Sequence, residues 1–200
     1  MNQPSLDKQL DKRLDIAIKN IRSGKIEEFE LIVKHYQKLL LKYVRYLSNN
    51  KCDVEDTVQE IFIRIYENLS KYQLGTSLNN WIYKIAYNHT MNVLKKNNRN
   101  KVFLLGQLPD IPDTNENDTD ISNRTKHALS KLSLEERNLL YLRIYEELSY
   151  KKLSEILSSN EMLLRKKYER TRKKFIKAYE KEGNSNEAGQ TEINHIGLYK

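Results

Sequence analysis

The sequence predicts an all-α protein made of two small helical domains joined by a flexible acidic linker. Three observations carry this expectation. Only three prolines and six glycines punctuate 200 residues, and Leu, Ile, Lys and Glu are abundant, a composition that favours helices over sheets. Apolar residues recur at steps of three and four through most of the chain, the period of an amphipathic helix. One stretch, 102–123, differs in kind. It holds Asp110, Asp113, Glu116, Asp118 and Asp120, no Lys or Arg, and Pro109 and Pro112, and so reads as a linker between domains.

Taken in order, Met1 to Ser5 are expected to be loose. Leu10, Leu14, Ala17, Ile18 and Ile21 predict a short amphipathic helix ending at Ser23-Gly24, the glycine suiting a helix C-terminus. Residues 1–25 are read as an N-terminal extension to a first domain at 26–101. That domain opens with a long helix over Ile26–Leu47, its inward side carrying Phe29, Ile32, Val33, Tyr36, Leu39, Leu40, Tyr43, Val44 and Leu47. Asp53 can cap the next helix. Val54, Val58, Ile61, Phe62, Ile65 and Leu69 form its core face; the opposite face shows Asp56, Gln59, Glu60, Ile63 and Glu67, an acidic strip with an apolar residue set in it. The segment KYQLGT at 71–76 is the turn, and Ser77 can cap the helix that follows. There Leu78, Trp81, Ile82, Ile85, Ala86, His89 and Val93 are expected inward, and Tyr83, Tyr87, Asn88, Asn92 and Lys95 outward. After Lys96 the pattern dissolves.

Past the linker, 124–182 is read as a second domain. Ala128, Leu129 and Leu132 form one element. Ser133 and Glu136 then stand in capping-box spacing,. Ser149 can cap a short helix with Leu153, Ile156 and Leu157 inward, Ser158-Ser159-Asn160 is a brief turn, and a second helix runs from Glu161 to Tyr179. Two helices joined by a three-residue turn have the helix-turn-helix layout. The tail at 183–200 is expected to be disordered and carries no functional expectation.

Charge sharpens this reading. The chain has a net charge of +8 and a pI near 9.3, which invites an anionic partner. Between Met162 and Lys177 lie Arg165, Lys166, Lys167, Arg170, Arg172, Lys173, Lys174 and Lys177 against Glu169 alone. A solvated surface helix would mix signs to form i,i+4 pairs; a helix that neutralises phosphates would look like this one. Catalysis finds no support. The four histidines are scattered, no glycine-rich phosphate loop or nucleophile elbow is present, and His89 on an apolar face reads as a core residue. Cys52 is the only cysteine, so neither an intrachain disulfide nor a Cys-rich zinc site is possible. No cofactor is implied. The N-terminus lacks an apolar signal region and no run approaches a membrane span,, so no membrane insertion and a cytoplasmic location are expected.

The runs Glu55-Asp56-Thr57-Val58-Gln59-Glu60-Ile61-Phe62 and Trp81-Ile82-Tyr83-Lys84-Ile85-Ala86-Tyr87-Asn88 closely resemble the promoter-melting domain of bacterial sigma factors of the sigma-70 superfamily, the small two-domain extracytoplasmic-function (ECF) class above all. The resemblance covers about 26–96 and 126–179. It implies that Asp56, Gln59, Glu60 and Ile63 bind bacterial core RNA polymerase. It also implies that Lys71, Tyr72, Asn80, Trp81, Tyr83, Lys84, Tyr87, Asn88, Asn92 and Lys95 contact promoter DNA at the −10 element, with Trp81 also partly in the core by its spacing. Aromatic rings and cations suit such a role because they compensate for lost base stacking; Lys96, Arg99 and Lys101 could hold backbone phosphates. The helix-turn-helix would read the −35 element through Arg165, Lys166, Lys167, Arg170, Arg172, Lys173 and Lys174. The acidic linker would suit the basic RNA exit path, and an anti-sigma factor is a possible partner. The chain departs from the family pattern at Ser158-Ser159, where glycine and then an aliphatic residue are usual. It departs again at Met162 and Leu163-Leu164, where small or hydroxyl residues are common, and at Asn92, where aspartate is usual. The sequence is also compatible with a stand-alone helix-turn-helix regulator that binds duplex operators without polymerase, and with an all-helical scaffold without promoter selectivity.

Overall fold

The computed structural model describes residues 3–49, 51–103 and 123–181. All regular structure among them is helical: α1 Gln3–Arg22, α2 Phe29–Ser48, α3 Val54–Asn68, α4 Leu78–Phe103, α5 Asn123–Ser130, α6 Leu134–Ile144, α7 Tyr150–Leu157 and α8 Glu161–Lys181, with single 3₁₀ turns at Ile26–Glu28 and Leu69–Lys71. The linker expected at 102–123 lies outside the described residues apart from its ends, which close α4 and open α5; the tail at 183–200 lies outside them altogether.

The chain forms two compact units, one of Met1–Arg45 with Cys52–Val93, the other of Tyr46–Lys51 with Leu94–Lys200. In the first, Leu14, Ala17, Ile18 and Ile21 of α1 are buried together with Ile32, Tyr36, Leu40 and Tyr43 of α2, Val58, Ile61 and Ile65 of α3, and Ile82 and Ala86 of α4. α1 is thus part of this unit rather than an extension to it. Nor is its beginning loose: the helix starts at Gln3, since Pro4 falls in the first turn, where the missing N–H would have no intrahelical partner anyway. α4 likewise runs on past Lys96 to Phe103. Its Asn- and Lys-rich last turns lack an apolar stripe, but contain no residue that breaks a helix.

Caps form where the hydroxyls and carboxylates predict them. Asp53 accepts from the Asp56 N–H at 3.0 Å, and Ser77 Oγ from the Asn80 N–H at 3.2 Å. Ser133 and Glu136 make a reciprocal box, the Glu136 N–H donating to Ser133 Oγ at 3.2 Å and the Ser133 N–H to Glu136 Oε2 at 2.7 Å. Each satisfies backbone donors that a helix start leaves over.

In the second unit α5, α6 and α7 pack around α8, burying Ala128, Leu129, Leu139, Leu140, Leu142, Leu153, Ile156, Leu164, Phe175 and Tyr179. Arg137 of α6 is buried there, which its place among surface-like charges does not announce. Its guanidinium donates to the carbonyls of Leu129 at 2.8 Å and Leu47 at 2.9 Å, two C-terminal helix carbonyls left without intrahelical donors. Burial lowers its affinity for the proton, which the nearby Tyr46 partly restores.

Candidate nucleic-acid and polymerase interfaces

On the first unit, α3 turns Asp56, Gln59, Glu60 and Ile63 to solvent. Ile63 is 57% exposed, an apolar side chain among carboxylates, which suits a protein partner with a basic rim. Behind the strip, Glu60 Oε2 lies 2.9 Å from Nε2 of the buried His89 of α4. The contact is one of proximity, since neither ring nitrogen makes an aligned hydrogen bond. Burial holds the His89 pKa below its ordinary value, Arg64 adds to this, and Glu60 works the other way. His89 is therefore neutral near pH 7 and leaves the Glu60 charge unneutralised at the surface.

The turn between α3 and α4 is held from α1. Arg22 donates through Nη2 to the Leu69 carbonyl at 2.6 Å and to the Tyr72 carbonyl, and through Nε to the Leu69 carbonyl at 3.2 Å. Asp15 Oδ2 accepts from the Gly75 N–H at 3.1 Å, with its other oxygen 3.4 Å from the Tyr72 hydroxyl. That hydroxyl donates to the Thr76 carbonyl at 2.6 Å. Gly75 sits at φ +80°, a backbone state that costs glycine little. Sequence reasoning missed Asp15 and Arg22, because their partners lie 47 to 60 residues away and no local pattern reports so distant a pairing.

The structure sorts the residues expected at single-stranded DNA. Trp81, Lys84, Asn88, Asn92 and Lys95 fall at steps of three and four along α4, with Trp81 half-buried and the others exposed. Lys71 is exposed beside them in sequence, its Nζ donating to Asn68 Oδ1 at 2.8 Å, while Asn80 and Tyr87 are half-buried. Two expectations fail. Tyr83 is fully buried, its ring edge-on to Tyr43 at 5.0 Å between centroids, because the buried arc of α4 is wide enough to take in Tyr83 and Thr90 beside Leu78, Ile82 and Ala86. Tyr72 is buried as well, its ring 5.4 Å from that of Trp81 and its hydroxyl committed to the turn. Neither ring is available to stack on a base.

On the second unit, α7 and α8 form the helix-turn-helix. Ser149 caps α7 through the Lys152 N–H at 3.3 Å, and Asn160 caps α8 through the Met162 N–H at 2.8 Å. Between them Ser158 takes the left-handed conformation at φ 50°, doing with a serine what glycine does at lower cost. α8 buries Leu164, Thr171, Phe175 and Tyr179. It exposes Arg165, Lys166, Arg170, Lys173 and Lys174, with Lys167 and Arg172 half-buried. Lys167 is engaged by Glu135, and Lys174 lies 2.9 Å from Glu136. Burial pushes the Glu136 pKa up, but the hydrogen bonds from Lys174 and Ser133 outweigh it and leave the net shift downward. Arg165 lies over the Tyr150 ring at 4.9 Å, and Arg172 is 3.8 Å from Glu169. The freest of the expected cations are therefore Lys166, Arg170 and Lys173. No cluster of metal-ligand side chains occurs among the described residues, and no helix there is long and apolar enough to cross a membrane.

An acid-faced helix and a helix whose outward row carries Trp81, Lys84, Asn88, Asn92 and Lys95 thus share one chain with a helix-turn-helix. The family of sigma-70 region 2 matches residues 32–100. The ECF RNA polymerase sigma factor SigW of Bacillus subtilis is 25% identical over 158 residues, 70% of this chain and 83% of that one. An ECF RNA polymerase sigma-E factor of Haemophilus influenzae is 28% identical over 156 residues, 70% and 81% respectively. Among solved structures, the sigma factor RpoE in complex with the anti-sigma factor NepR from Bartonella quintana superposes with a TM-score of 0.64 at 19% identity, covering 77% of this chain and 98% of that one. CnrH in complex with the cytosolic domain of CnrY gives 0.60 at 18%, covering 80% and 93%; these two likenesses establish the fold. Residues 32–100 thus match sigma-70 region 2, and over 70% of its length the chain is similar to ECF sigma factors.

Proposed function

We propose that this protein is a sigma factor that confers promoter recognition and melting on bacterial core RNA polymerase, acting through the polymerase and not as an enzyme itself. The observation that carries the reading is the basic outward face of α8 in a helix-turn-helix, joined in one chain to a region 2 match. Asp56, Gln59, Glu60 and Ile63 would bind the polymerase. Trp81, Lys84, Asn88, Asn92 and Lys95, with Lys71, Asn80 and Tyr87 at their margin, would face the opened −10 strand. Lys166, Arg170 and Lys173, with Arg165, Lys167, Arg172 and Lys174 nearby, would hold the −35 duplex. The place of action is the cytoplasm, where polymerase and promoter are. An anti-sigma partner fits the same reading, since the RpoE of similar fold was solved with one.

Run-off transcription with purified core polymerase on a pool of genomic fragments tests the proposal. Discrete transcripts that depend on this protein are the expected result. Duplex binding without polymerase-dependent initiation would instead identify a stand-alone regulator.

A further inference from the structure

The first turn of α8 exposes two large apolar side chains, Met162 at 66% and Leu163 at 61%. Both lie on the outward side of the helix. Met162 shares a row with Lys166 and Lys173, and Leu163 a row with Lys166, Lys167, Arg170 and Lys174, at steps of three, four, seven and eleven. Leu163 also lines a surface groove with Lys166, Lys167 and Arg170, floored by Glu136 and Thr171. A surface so surrounded by cations repels a basic partner and attracts a polyanion. In a helix-turn-helix the first residues of the second helix are those that reach base edges. Neither Met nor Leu carries a donor that could read a purine edge. The one apolar feature in the major groove of unmodified DNA is the thymine 5-methyl group.

We infer that Met162 and Leu163 read thymine methyl groups in the major groove, so that the duplex element selected by α8 carries thymine opposite its first turn. The inference rests on the proposed −35 role of α8 and adds the chemistry by which it discriminates. The surrounding cations position the helix on phosphates, and the apolar pair supplies the base preference.

The test uses the full chain and a pool of duplexes with a randomised core. After selection, the enriched duplex is synthesised with thymine or with deoxyuridine, which differ only by the methyl group. Wild type should lose about fourfold in affinity for each contacted methyl removed, the transfer free energy of one buried methyl expressed as a ratio. In a Met162→Ala/Leu163→Ala variant the two duplexes should bind alike. Both side chains are exposed, so the variant should unfold as wild type does, and Leu163→Met should keep the preference. Equal binding of the two duplexes by wild type would overturn the inference, and so would a methyl preference undiminished in the variant. Sequence enrichment with indifference to the methyl defeats the inference alone; no enrichment of any sequence defeats it together with the DNA-reading role of α8.

Discussion

Replacing Arg22 by Ala removes the side chain that ties α1 to the turn before α4. The guanidinium spans two carbonyls, those of Leu69 and Tyr72, the first of which also accepts from the Tyr72 N–H at 3.2 Å to close the 3₁₀ turn. Hydrogen bonds to a charged group contribute about 1.5–3 kcal/mol when sheltered. Arg22 is exposed along much of its length, so solvent competes and about 1–2 kcal/mol for the set is the reasonable figure. That corresponds to a factor of about 5–30 in the population of the held turn. The 71–76 segment adjoins the proposed −10 surface. Arg22→Ala should therefore weaken binding of single-stranded −10 DNA by a comparable factor, measured by fluorescence anisotropy on the polymerase complex, while Asp15→Asn gives a smaller effect in the same direction. Urea unfolding of the same variant should show a loss of similar size. If stability fell as expected but strand affinity stayed at the wild-type value, the idea that α1 positions the reading turn would be refuted.

Three other outcomes follow from the same structure. Arg137→Met should cost about 1–3 kcal/mol by urea unfolding, since it strands the buried Leu47 carbonyl,, while the Leu129 carbonyl keeps the Leu132 N–H at 3.0 Å; Arg137→Lys should recover part of this. Glu135→Gln should leave stability within about 1 kcal/mol. It should also release Lys167 to a phosphate, steepening the salt dependence of duplex binding by about 0.9 in log–log slope. Because the His89 pKa is lowered in the folded state, the unfolded chain binds the proton more readily. The histidine's contribution is then fully present above about pH 6.5 and is lost as the pH falls through the unfolded and then the folded value. A His89→Gln variant should show a flatter stability profile between pH 7 and pH 5 in thermal melts.

How much of this was legible in the sequence depended on whether the deciding partner was local. Caps were readable because Asp53, Ser77, Ser133 and Ser149 each meet an N–H three residues on. The acidic strip with Ile63 and the cationic α8 were readable because one helix alone sets which way its side chains point. His89 as a core residue followed from the same periodicity. Tyr83 was misread for the converse reason. A period of 3.6 centres the apolar face on Ile82 and Ala86, but the buried arc of α4 is wide enough to take in Tyr83, which packs on Tyr43 of α2. Arg137 and Arg22 escaped notice because what makes each settle is a carbonyl far along the chain, and the residue itself reads as surface charge. Residues 3–5, expected to be loose, instead open α1, and a helix tolerates Pro4 in its first turn.

The serine at the bend before α8 has a wider meaning for how this protein can change. A left-handed serine costs about 1 kcal/mol more than glycine there, so the bend cannot be what sets the pose of the helix that follows. That pose is imposed from beneath, by Leu153, Ile156 and Leu164 in the core. Scaffold and surface are consequently separable: the outward side chains of α8 can be exchanged one at a time, each swap altering the face offered to a partner while the support beneath keeps its shape.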